Sequence, residues 1–114
     1  MIELFKFYQP LNCSGSAYNI SSTGGARDEY PQLMGVYTLT KDTYSNKPVY
    51  KKESTDAYLF MNSNDNWVVF KELHTNFARM YSASSDSPPT SGWKYFPSSN
   101  WLSDPSLTVT QMKI

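Results

Sequence analysis

Two apolar runs joined by a polar turn limit this chain most. Residues 57–62 read AYLFMN, residues 66–73 read NWVVFKEL, and NSNDN at 62–66 links them. The runs are short and rich in aromatic and β-branched residues, with apolar side chains at successive positions. That pattern predicts strands buried on both faces. Asn and Asp tolerate left-handed backbone angles, so NSNDN suits a hairpin turn. A hairpin buried on both faces needs further strands around it.

Those strands are legible elsewhere. GVYTLT, residues 35–40, sets Tyr37 and Leu39 against Val36, Thr38 and Thr40, the two-residue period of a half-buried strand. ELFKFY (3–8), PVYKK (48–52), ARMYSAS (78–84), GWKYF (92–96) and SLTVTQM (106–112) supply more. Residues 12–32, NCSGSAYNISSTGGARDEYPQ, read as a long polar loop or irregular edge. Apolar spacing of three and four is almost absent, and proline and glycine break most windows, so helices are not expected. Turn signals recur every eight to twelve residues or so. The expected fold is all-β: one antiparallel domain over residues 1–114, a sandwich or small open barrel of about seven or eight short strands.

The chain has 114 residues, enough for one core without staples. Ten basic residues balance ten acidic ones. A nucleic-acid binder needs excess cations to replace the counterions on phosphate, so that class is disfavoured, as is electrostatic attachment to an anionic membrane. No apolar run approaches the ~20 residues of a membrane-spanning helix. MIELFKFYQP lacks the pattern of a secretory signal. Asn12 and Asn19 head formal glycosylation triplets. The single cysteine, Cys13, rules out an intrachain disulfide and reads as an inert thiol.

Catalysis has few candidates. His74 is the only histidine. Cys13 sits in LNCSGS, which has no nucleophile-activating pattern. Asp28, Glu29, Asp42, Glu53, Asp56, Asp65, Glu72, Asp86 and Asp104 are scattered, with no spacing that marks an acid–base pair. One His and one Cys cannot make a structural zinc site. Asn62, Asn64 and Asn66 match the first, third and fifth positions of a calcium loop, but Trp67 stands where the glycine belongs and Leu73 where the glutamate belongs. No enzyme activity, metal or cofactor is expected.

Aromatic residues make up 16% of the chain, with nine Tyr, six Phe and three Trp. Rings offer platforms for the C–H faces of sugars, and the plentiful Asn, Asp and Ser offer partners for their hydroxyls. PPTSGWKYFPSSNW, residues 88–101, holds two of the three tryptophans.

Residues 34–52, 57–70 and 78–109 resemble a short β-rich module recurring in marine invertebrate and some protist proteins. Its pattern runs Gly-x-Tyr, a turn Asn-Gly-Arg-Pro, Val-Tyr-Lys, a Tyr-Leu-Tyr-Tyr strand, Trp-Val-Val, Pro-Pro-x-x-Gly-Trp, a second Trp and Asp-Pro-Ser-Leu. The likeness covers residues 35–110. The turn reads Ser45-Asn46-Lys47-Pro48 here, so asparagine replaces glycine and lysine replaces arginine. The module's setting, in extracellular, multi-module, lectin-like proteins, implies binding rather than catalysis, and secretion rather than residence in the cytoplasm. A module reused in varied proteins keeps its core before its ligand contacts, so Trp67 and Trp93 read as core and Trp101 as the displayed ring.

The expected function is therefore a non-catalytic recognition module for a glycan or glycoprotein. Its expected contacts are Trp101, Tyr95 and Asn100 as platform, with Asp86, Asn64 and Asp65 as polar partners. The competing expectation is a self-assembling protein that forms homo-oligomers through aromatic surfaces, helped by its zero net charge.

Overall fold

A computed structural model describes residues 17–53, 55–73, 77–97 and 100–112. The expected first strand at 3–8, together with Asn12, Cys13 and His74, lies outside them. Among the described residues nine strands form one antiparallel sheet, curled into half a barrel. They are β1 (Ala17–Ser21), β2 (Gly35–Tyr44), β3 (Lys47–Lys52), β4 (Tyr58–Met61), β5 (Trp67–Phe70), β6 (Met80–Ser82), β7 (Lys94–Tyr95), β8 (Leu102–Ser103) and β9 (Thr108–Met112). Strands β1 to β8 lie in chain order, and β9 returns to pair with β1 on the side away from β2. This is the open-barrel form of the expected fold, with nine strands rather than seven or eight.

The central hairpin forms where the apolar runs predicted it. Met61 faces Trp67 across β4 and β5, and Leu59 faces Val69. Asn62 makes the turn. Its side-chain oxygen accepts the amides of Asn64 and Asn66 at 3.0 and 3.1 Å, and Asp65 takes a positive φ of 65°. The β2–β3 turn is tighter: Ser45 and Asn46 both have positive φ, 54° and 61°. Two left-handed residues in succession match the right-handed twist of a hairpin, and glycine fits the second place best. Asn46→Gly is therefore expected to stabilise the protein by about 0.5–1 kcal/mol, read as a raised midpoint in thermal unfolding.

Two expectations change. Residues 12–32 are not all loop, since Ala17–Ser21 is an internal strand between β2 and β9. Ala17, Tyr18 and Ile20 are buried there, and the surrounding Ser, Asn and Gly had masked the apolar signal. Residues Gly25–Glu29 make a short helix, α1, followed by a 3₁₀ turn at Pro31–Leu33. Leu39 departs from the burial of its strand: Tyr37 is buried, but Leu39 is 49% exposed, at the last regular pair before the β2–β3 register shifts.

The two faces of the sheet carry separate apolar clusters. Inside the curl lie Tyr18, Ile20, Tyr37, Tyr50, Leu59, Trp67, Met80, Trp93 and Val109. Tyr18 and Tyr50 meet edge to face, centroids 5.0 Å apart, and burial raises the pKa of both phenols. On the outside, Val49, Phe60 and Val68 are also buried, with Tyr44, Tyr58, Ala78 and Tyr81 around them.

The connection between β6 and β7 is pinned across the interior. The Trp67 indole N–H donates to the Ser85 carbonyl at 3.0 Å, and the Trp93 indole N–H donates to the Pro89 carbonyl at 2.7 Å. The Val109 amide donates to the Thr90 carbonyl at 2.9 Å, which ties this loop to β9. Both indoles are thus buried and satisfied, as a buried tryptophan requires.

Asp104, between β8 and β9, clasps the segment after β1. Its carboxylate accepts the Ser22 hydroxyl at 2.6 Å and the Ala26 amide at 3.0 Å, and from its own turn the Ser106 hydroxyl at 2.7 Å and amide at 3.0 Å. Burial pushes this carboxyl up, but the four hydrogen bonds outweigh that and hold it at about 2, against an ordinary 3.8. Glycine is needed on the clasped side: a Cβ on Gly25 would stand 2.0 Å from the Tyr95 hydroxyl.

Candidate functional site

Between β7 and β8, Phe96 and Trp101 lie on the outer side of the sheet, beside Tyr81. Alternation along β7 decides which rings lie there. Trp93 and Tyr95 are two residues apart and share the inner face, while Phe96 points outward. The Trp101 ring rests against Tyr81, centroids 4.5 Å apart at 68°, and against Phe96, 5.0 Å apart at 46°. Tyr30 fixes the backbone beneath by donating its hydroxyl to the Phe96 carbonyl. Trp101 stays 40% exposed, whereas Trp67 and Trp93 are 0% and 2% exposed.

Trp101 is the shared wall of two clefts that also share Ala78. The larger, about 440 Å³, is lined by Phe70, Phe77, Arg79 and Phe96 as well. The smaller, about 140 Å³, is lined by Asn62, Asn64, Asn66, Val68 and Tyr81. The first is aromatic with one cation at its edge. The second is polar, with three carboxamides beside a phenol. The Asn62 oxygen is engaged in its turn, so Asn64 and Asn66 are the amides available there.

Of the six residues expected at the site, Trp101 and Asn64 line the same cleft. Asn100 is exposed beside Trp101 and lines neither cleft. Asp65 is exposed in the β4–β5 turn, again outside the lining. Asp86 is exposed in the β6–β7 loop, where its carbonyl and carboxylate receive Lys47 at 3.3 and 3.9 Å. That contact joins two loops, and an ion pair so exposed contributes little. It also gives Lys47 a partner within the chain. Tyr95 is a correction: it is buried inside the curl, its hydroxyl against Gly25, and cannot serve as part of an outer platform.

The ring that takes its place is Tyr81, with Phe96 beside it. Their signal was present in the two-residue period. Met80 and Ser82 are buried on the inside, so Tyr81 must face out, and Trp93 buried inside sends Phe96 out. Arg79 had no such signal. Among the described residues no group of three or more His, Cys, Asp or Glu converges on a metal-sized site, and no helix is long and apolar enough to cross a membrane. No protein-family model matches the chain, and no curated protein or solved structure matches it significantly.

Proposed function

We propose that the protein is a non-catalytic carbohydrate-binding module whose platform is Trp101. One observation carries this reading. A half-exposed indole, braced by two other rings, separates an aromatic cleft from a carboxamide-lined one. A pyranose is amphipathic in the same sense: its C–H face stacks on a ring, and its equatorial hydroxyls reach sideways to amides. Bracing matters because a ring already held in place loses little conformational freedom on binding. Reaction chemistry has little support here. The described lining of the two clefts includes no carboxylate, thiol or imidazole, the groups that would donate or accept a proton near neutral pH.

Glycan-array screening followed by titration of Trp fluorescence tests the reading. Trp101→Ala is expected to weaken binding of any glycan found by about tenfold or more, because stacking on one ring is worth one to several kcal/mol. Tyr95→Phe should leave affinity unchanged. A folded protein that binds no glycan would overturn the proposal. Self-association is the competing use of the same surface, favoured by Phe77, which is 73% exposed next to Trp101's cleft. Light scattering that rises with concentration, and falls in Trp101→Ala, would support that use instead.

A further inference from the structure

We infer that the glycan is acidic, and that the larger cleft receives a uronate residue whose carboxylate is met by Arg79. This deepens the carbohydrate reading and rests on it. Arg79 is the only charged residue lining either cleft among the described residues. It begins the approach to β6, where its amide donates to the Val69 carbonyl and its carbonyl accepts the Phe96 amide, both at 2.9 Å. Its backbone is thus locked into the sheet while its side chain reaches the surface. The guanidinium carbon lies 5.8 Å from the Tyr30 ring centre and 5.7 Å from that of Phe70. Two rings therefore hold it at the cleft edge. Among the described residues no carboxylate pairs with it. A fixed, weakly hydrated guanidinium with its fork unused is the group that takes a planar carboxylate through two parallel hydrogen bonds.

The sugar class follows from the other walls. The rings of Phe70, Phe77, Phe96 and Trp101 suit the C–H face of a pyranose, and a uronic acid keeps that face while placing its charge on the ring's rim. The smaller cleft lies across Trp101 and offers Asn64 and Asn66. Neutral donors and acceptors of that kind suit the hydroxyls of the adjoining sugar. The occupant is then an oligosaccharide of at least two residues crossing Trp101, with its acidic residue on the Arg79 side. A free fatty acid or aromatic acid shares the charge but makes no use of the second cleft.

The test uses oligomers of glucuronic, galacturonic and mannuronic acid, each against the same oligomer with its carboxyls reduced to primary alcohols. Binding is followed by Trp fluorescence and calorimetry at two salt concentrations. At least one acidic oligomer should bind about tenfold or more tightly than its reduced partner, and more weakly in higher salt. Arg79→Gln should remove that preference, so that the folded variant binds acidic and reduced oligomers alike. Arg79→Lys should restore it in part. Equal affinity for acidic and reduced oligomers, or a preference that survives Arg79→Gln, would overturn the inference and leave the carbohydrate reading standing. Failure of every oligomer and of the glycan array would overturn both.

Discussion

Trp93→Ala should destabilise the protein by roughly 3–5 kcal/mol, whereas Trp101→Ala should cost less, about 1–2 kcal/mol. The two residues are eight positions apart in one Ser- and Pro-rich stretch, yet their surroundings differ in kind. Trp93 fills the interior and donates its indole N–H to Pro89. Its removal opens a cavity and frees the loop that closes the curl. Trp101 leans on Tyr81 and Phe96 from outside, so its loss removes two ring contacts and leaves no void in the core. Urea unfolding of both variants measures the difference. Similar losses in the two would mean that Trp101 is a structural residue and not a displayed one.

This contrast shows what was legible in the sequence. The central hairpin was plain, because residues buried on both faces leave no polar position to confuse the period. The assignment of Trp67 and Trp93 to the core matches their burial. Tyr95 was misplaced as a platform residue, although its distance of two from Trp93 puts both on one face of β7. Strand β1 was hidden because its own Asn19 and Ser21, and Ser16, Ser22 and Thr23 around it, resemble loop residues, while its pairing partners are β2 and β9. The Arg79 position could not be read at all. Its two ring partners come from the 3₁₀ region and from β5, and no local spacing encodes that meeting.

The second large effect belongs to Asp104. Asp104→Ala should destabilise the protein by roughly 2–4 kcal/mol at neutral pH, because the Ser22 and Ser106 hydroxyls and the Ala26 and Ser106 amides lose their acceptor in a buried corner. The pH dependence follows from the depressed pKa. A carboxyl that titrates near 2 when folded and near 3.8 when unfolded supplies stability in full above about pH 4. That contribution, worth about 2 kcal/mol, is lost as the pH falls towards 2. Asp104→Asn keeps the shape without the charge, so its stability should fall less steeply than the wild type's between pH 5 and 2. Parallel profiles for the two proteins would show that the clasp does not carry this part of the acid sensitivity.

The return of β9 to β1 has a consequence for how the molecule is assembled. Strands β1 to β8 each pair with the next in the chain, so that ribbon can zip up through short closures as it emerges during synthesis. The β1–β9 seam is different: Ser21 and Thr108, which hydrogen-bond across it, are 87 positions apart. Closing so long a loop is entropically dearer than closing any hairpin, so the seam forms last. Asp104 sits beside that seam and bolts it to Ser22 and Ala26. Protonating Asp104 therefore weakens the clasp beside this seam, whose two strands are the paired elements furthest apart in the sequence.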